Sequence, residues 1–170
     1  GESSRFISDY LLVSNNYSEG HGSGFFLSAN GEIELKFSTI ANNVVGEGDV
    51  FGAGIYNDGG AAMLYNSIVY YNRRTGDSST SYNLDGYSDN FFDEYTIAYS
   101  DIEGDEEWIL NGEGNISIDP SFVDTLAGDY SLESDSPCID AGASLYVDAE
   151  GDTIIHINPE LYHGDAPDMG

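Results

Sequence analysis

The sequence predicts an all-β fold built as a solenoid of stacked strands, and three observations predict it. The first is repetition: Gly22-Ser23-Gly24-Phe25-Phe26, followed by Phe37-Ser38-Thr39-Ile40-Ala41-Asn42-Asn43, returns as Gly52-Ala53-Gly54-Ile55-Tyr56, followed by Asn66-Ser67-Ile68-Val69-Tyr70-Tyr71-Asn72. A fainter copy, Tyr10 to Asn16, precedes these, and a worn one, Tyr99 to Gly104, follows. Aligning Val13, Ile40, Val69 and Ile102 gives intervals of 27, 29 and 33 residues, a period that belongs to solenoids. The second observation is the lack of any window with apolar residues at i, i+3, i+4 and i+7 over three turns. The third is the recurrence of short alternating or wholly apolar runs between clusters of Gly, Asn, Asp and Ser, which reads as strands and corners.

Taken in order, the copy around Tyr10-Leu11-Leu12-Val13 is the first coil. In the next, Phe25-Phe26-Leu27, Ile33-Glu34-Leu35-Lys36-Phe37 and Thr39-Ile40-Ala41 read as three strands, the plan of a parallel β-helix whose coils pair only with the coils above and below. Alternation sends Ile33, Leu35 and Phe37 inward and the opposite charges Glu34 and Lys36 outward. The Gly-x-Gly pairs supply corners where a side chain would strike the neighbouring coil. Asn16, Asn43 and Asn72 fall at one repeat position, either as a ladder of stacked amides or as plain corner residues. Between residues 73 and 95 the grammar loosens into a polar stretch, expected to be a long loop or an irregular coil of the kind that carries function. Coils at 1–113 and terminal coils with an irregular cap at 114–170 form a single domain.

Charge constrains the partners. The chain of 170 residues carries a net charge of −27. All four cations (Arg5, Lys36, Arg73, Arg74) lie in residues 1–85, and residues 86–170 hold 21 acids with no Lys or Arg. With 40% hydrophobic residues the acidity decorates a folded body rather than a disordered chain. Such a surface repels nucleic acid and anionic lipid and attracts divalent cations. The one cysteine, Cys138, forms no internal disulfide and reads as a buried small apolar residue. The chain opens at Gly1 without Met, signal peptide or membrane-length apolar run, so it is expected to be a mature or excised part of something longer.

The last third has its own text: Gly114-Asn115-Ile116-Ser117-Ile118-Asp119-Pro120-Ser121-Phe122-Val123-Asp124, Gly128-Asp129-Tyr130-Ser131-Leu132, and Ser134-Asp135-Ser136-Pro137-Cys138-Ile139-Asp140-Ala141-Gly142. Asp148 to Asp152 supply a turn, and Asp168-Met169-Gly170 follow near the end. This run closely resembles the last coils of bacterial secreted right-handed parallel β-helix proteins, relatives of the pectate-lyase-like and polymorphic outer-membrane repeats. The resemblance implies a right-handed helix and an extracellular or cell-surface location. It implies no single activity, because such helices carry lyases, hydrolases, adhesins and stalks. Thr153-Ile154-Ile155-His156 departs from the pattern, which has Pro-Arg after that turn. Locally, Asp119-Pro120 starts a turn in which Asp bonds its own backbone two residues on, and Asp140 is expected to do the same. The apolar residues Ile116 to Ile139 are expected to plug the open end of the helical core.

The chemistry is weighed on residues. Gly20-His21-Gly22 matches a short signature of polygalacturonase-like hydrolases, but its companion motifs are missing, and the repeat sets His21 opposite Phe51 as a repeat-position side chain. Uronate lyases need a cation and a base, for which four Lys and Arg are a thin supply. Calcium suits carboxylates on flexible loops: Asp148, Glu150 and Asp152 are the most compact set, and Asp101, Glu103 and Asp105 the second, against the plainer reading of solvated turns. Tyr70, Tyr71, Tyr82, Tyr87 and Trp108 offer rings for sugar stacking, against the commoner fate of core or corner. The function expected is a non-catalytic extracellular segment serving as stalk, adhesin or glycan-contacting surface and associating end to end through open strand rows. The alternative is the C-terminal part of a polysaccharide lyase or glycoside hydrolase with its active site upstream or in the 73–95 stretch.

Overall fold

A computed structural model of the chain describes residues 3–77, 82–87, 95–104 and 112–170. Its body is a parallel β-solenoid of about 3 turns. The first coil comprises β1 (Ser4–Asp9), β2 (Leu12–Ser14), β3 (Tyr17–Ser18) and β4 (Phe25–Ser28), and the second β5 (Gly31–Lys36), β6 (Thr39–Ala41), β7 (Val44–Val45) and β8 (Ile55–Asp58). The third holds β9 (Ala61–Tyr65), β10 (Ile68–Tyr70), β11 (Arg73–Arg74) and β12 (Leu84–Gly86), and β13 (Tyr95–Ala98) with β14 (Asp101–Ile102) begin a fourth. Like strands stack into four parallel sheets: sheet 1 is β1-β5-β9-β13, sheet 2 is β2-β6-β10-β14, sheet 3 is β3-β7-β11 and sheet 4 is β4-β8-β12. The repeat alignment is the register: Val13 pairs with Ile40, Ile40 with Val69, and Val69 with Ile102. Each turn thus has four strands rather than three, because the two-residue β7 escapes a reading that needs alternation over several residues. Residues 73–77 and 82–87 are coil, with β11 and β12 in register on β7 and β8.

One-residue left-handed corners set the cross-section. Tyr10, Phe37, Asn66 and Tyr99 turn the chain from sheet 1 to sheet 2, and Asn15, Asn42 and Tyr71 from sheet 2 to sheet 3, all with φ between 49° and 60°. The first corner corrects the expected orientation of Phe37. Ile33 and Leu35 enter the core with Ile40, Ile55, Leu64, Val69 and Ile102. Phe37, at φ 50°, is flipped outward, where it stacks on Tyr10 at 5.3 Å. Outside sheet 1, Glu34 bridges Lys36 at 2.8 Å and Arg5 at 2.6 Å.

Two polar ladders line the corners. Asn16 Nδ2 donates to Asn43 Oδ1 at 2.8 Å, Asn43 Nδ2 to Asn72 Oδ1 at 2.9 Å, and Asn72 Nδ2 to Asn83 Oδ1 at 2.7 Å. The ladder reading of these asparagines therefore holds. Asn83 occupies the place of Gly24 and Gly54 one rung on, because Leu84 pairs with Ile55 and Ile55 with Phe25. A Cβ at Gly54 would strike Asn83 O and come within 3.1 Å of Asn72 Nδ2. The lower rungs must therefore be glycine, while Asn83 lends its amide to the ladder. The second ladder was not foreseen: Leu11 N donates to Ser38 Oγ, Ser38 N to Ser67 Oγ and Ser67 N to Ser100 Oγ, and Asn115 Oδ1 caps the series by accepting from Ser100 N.

The C-terminal arm departs from expectation. Residues 113–118 lay a short bridge on β14, with Asp101 opposite Ile116, and the chain then descends along the outside of the coils. β15 (Phe122–Asp124) and β16 (Asp129–Leu132) form one antiparallel hairpin, and β17 (Leu145–Val147) and β18 (Thr153–His156) another. A short 3-10 helix, Pro159–Leu161, follows. Phe122, Leu132, Cys138 and Met169 cover the outer side chains Ile68 and Tyr70 of β10, and Tyr146, Ile154 and Ile155 cover Phe37, Met63 and Tyr65. These residues form clusters separate from the core of the coils, so the apolar residues of the arm coat sheets 1 and 2 and do not plug the end. Asn66 pins the arm with two bonds to Ala143, at 2.8 Å each. Among the described residues no helix is long and apolar enough to cross a membrane.

Candidate functional site

Sheet 4 is the wall on which register assembles aromatic and acidic side chains. Strand alternation points Phe25, Leu27, Ile55 and Leu84 into the core and the intervening residues outward. Because Phe26 pairs with Tyr56 and Tyr56 with Asp85, these three form one outer column. Ser28 pairs with Asp58, and Tyr87 N donates to Asn57 O, which sets Tyr87 beside Asp58 in a second column. The rungs lie about 4.8 Å apart and the columns about 7 Å apart. Tyr56 and Tyr87 thus sit on one diagonal and Asp58 and Asp85 on the other.

The site is held firmly. His21 enters from the residues before β4 and stacks on Tyr56 at 4.3 Å and on Phe51 at 5.9 Å. Its Nδ1 accepts from Phe51 N at 3.0 Å, which leaves Nε2 as the outward nitrogen. This agrees with the repeat reading that set His21 opposite Phe51. Phe26 packs on the other side of Tyr56 at 5.6 Å. Tyr56 is buried, whereas Phe26 is 52% and Tyr87 80% exposed. Burial pushes the Tyr56 phenol above its ordinary value, and Asp58, Asp85 and Tyr87 add to the effect. Burial also raises the Asp85 carboxyl, against the pull of the Gly86 N–H and of His21. None of the four cations neutralises these acids. Arg5 and Lys36 are held by Glu32 and Glu34, Arg74 by Asp77, and Arg73 donates to Asn42.

The five rings singled out in the sequence are scattered. Tyr87 belongs to this face. Tyr82 is buried beside it, with its hydroxyl on Asp77 Oδ2 at 3.0 Å and the Arg74 guanidinium 4.9 Å above its ring. Tyr70 and Tyr71 lie on the far side, under the arm. Their rings meet edge on at 4.9 Å, and Tyr71 donates its hydroxyl to Asp119 Oδ1 at 2.6 Å. Burial, then Asp119, holds the Tyr71 phenol well above its usual range. Trp108 lies outside the described residues. His21, Tyr56, Asp58 and Asp85 were missed as a group. Tyr56 could have been found from its copy in Phe26, but the third rung arrives off period.

Three of the carboxylates weighed for calcium, Asp148, Asp101 and Glu103, accept hydrogen bonds within the fold. Asp148 Oδ1 accepts from Asp152 N at 2.8 Å and Gly151 N donates to Asp148 O, so 148–152 is the turn between β17 and β18, with Glu150 exposed on it. Asp101 is buried, accepting from Cys138 Sγ at 3.2 Å and from Ile118 N at 3.1 Å. Glu103 Oε2 accepts from Tyr71 N at 2.8 Å and Asn83 Nδ2 at 3.0 Å. Asp105 lies outside the described residues. Among the described residues, no three His, Cys, Asp or Glu side chains come together as a metal cluster. Asp119 does bond Ser121 N two residues on, whereas Asp140 accepts from Asp165 N across the arm instead of from its own turn.

Compared with known proteins, the chain matches no family model, no curated protein and no solved structure.

Proposed function

We propose that this chain is a non-catalytic segment of an extracellular β-solenoid, a stalk or adhesin element whose side wall contacts glycans. One observation carries the reading: on sheet 4 the register sets Phe26, Tyr56 and Tyr87 among Asp58 and Asp85 on one wall, with Phe26 and Tyr87 exposed. Rings of that kind stack on pyranose faces while carboxylates accept sugar hydroxyls. A glycan panel read by calorimetry tests it. Binding without turnover, weakened at least tenfold by Tyr87→Ala, is the expected result, and a panel with no binder overturns the reading.

The second reading, the C-terminal part of a polysaccharide lyase or glycoside hydrolase, draws on His21 and Asp85 sharing this wall, His21 being stacked on Tyr56 and Tyr56 pairing with Asp85. Hydrolysis of the same panel that disappears in His21→Ala would replace the first reading with this one.

A further inference from the structure

We infer that the sheet 4 wall selects cationic amino sugars, such as β-1,4-linked glucosamine, over neutral sugars and uronates; this rests on the glycan-contacting reading above. The rings alone would accept any pyranose face. The selection comes from what lies between them. Asp58 and Asp85 stand diagonally opposite each other, with the exposed Tyr87 ring beside both, so a group seated between the columns meets a carboxylate from each side and the Tyr87 ring. An ammonium gains from both, through charge pairing and through the negative face of the Tyr87 ring.

The acids are poised for an outside cation. All four Lys and Arg side chains have partners elsewhere, and the Asp85 carboxyl accepts from Gly86 N at 2.7 Å with no Lys or Arg of the described residues paired to it. Burial that raises this carboxyl makes an arriving ammonium more valuable than it would be in open water. A uronate brings a third carboxylate to two already present on a chain of net charge −27, and is repelled. A neutral sugar keeps the stacking and loses the ion pair.

The test is calorimetry of the whole chain with three oligomers of equal length: glucosamine, N-acetylglucosamine and galacturonate, at a pH where the free amine is protonated. Glucosamine is expected to bind at least tenfold tighter than its acetylated form, with no heat from galacturonate. Asp58→Asn with Asp85→Asn should remove that advantage. Glu133→Gln with Asp135→Asn, which removes the same charge from the exposed arm, should leave it intact, and circular dichroism shows that each variant folds. Equal binding of the acetylated oligomer overturns the amine selection while leaving the glycan reading standing, and silence from all three overturns both. An equal loss in the arm variant overturns the site, because attraction would then be a property of overall charge. An arginine-rich peptide that binds tighter than glucosamine and depends on Asp58 and Asp85 assigns the wall to a basic protein instead.

Discussion

Asp101 shows how one side chain ties the arm to the coils. It points out of β14 and is fully buried beneath the arm, where Cys138 Sγ and Ile118 N donate to its two oxygens. Burial pushes its carboxyl up to about 6, and Asp119 and Glu103 reinforce the shift against the hydrogen bonds from Cys138 and Ile118. A raised carboxyl favours the folded state while protonated. Its contribution is complete below the ordinary value of 3.8 and is lost as pH climbs through about 6. The shift corresponds to about 3 kcal/mol. Asp101→Asn, uncharged at every pH, is therefore expected to be more stable than the parent at pH 8, with the advantage vanishing near pH 4. Denaturant melts of both proteins across that range check it, and a pH-independent gap would refute it. The sequence carried half of this arrangement. Pro137-Cys138-Ile139 announced a buried thiol, but Asp101 sat in an acidic run, where nothing local distinguishes a carboxylate that will be covered by residues 118 and 138.

At the scale of elements, the coils are joined by polar ladders as well as by the core. Asn43 is fully buried and donates to both Val13 O and Asn72 Oδ1 while accepting from Asn16. Asn43→Ala leaves buried donors and acceptors unpaired in three rungs, a loss of about 3 kcal/mol. Asn16→Ala acts at an exposed end and should cost about 1 kcal/mol. Chemical denaturation that gave the two variants equal losses would show that the ladder is not cooperative. The asparagine series was legible because its members recur with the coil. The serine series repeats at the same intervals, yet serine is common in turns, so its hydroxyls gave no separate signal. Asn83 was not legible, since the excursion after β11 brings it to the ladder only 11 residues beyond Asn72. The same excursion hid the checkerboard of sheet 4, whose third row depends on where β12 rejoins the stack.

For the whole molecule, the two ends of the solenoid differ. Among the described residues, the first coil carries most of the exposed large apolar side chains of the body, among them Phe6, Ile7, Tyr10, Leu12, Tyr17 and Phe26, and each of β1 to β4 has a described partner strand on one edge. It is also nearly neutral, since Arg5 offsets one of Asp9 and Glu19. Strand addition at this edge is expected to raise the mass seen by light scattering as concentration and salt increase, because salt screens the residual repulsion. Ile7→Lys puts a charge on the edge strand and should keep the chain monomeric. A parent that remains monomeric under both changes would refute the proposal. The general plan of stacked coils was legible from periodicity, whereas the path of the arm was not: its apolar residues are as consistent with plugging an end as with coating a wall.

The asparagine ladder has a sense as well as a length. Every amide in it donates toward the later coil, from Asn16 through Asn43 and Asn72 to Asn83, and the last donor meets the carboxylate of Glu103. Aligned amide dipoles add, as peptide dipoles do along an α-helix, so the column is positive at its Glu103 end and negative at Asn16. The anion closes the positive terminus. The rod is therefore a polar object, its amide column running in one sense from Asn16 to the Glu103 carboxylate.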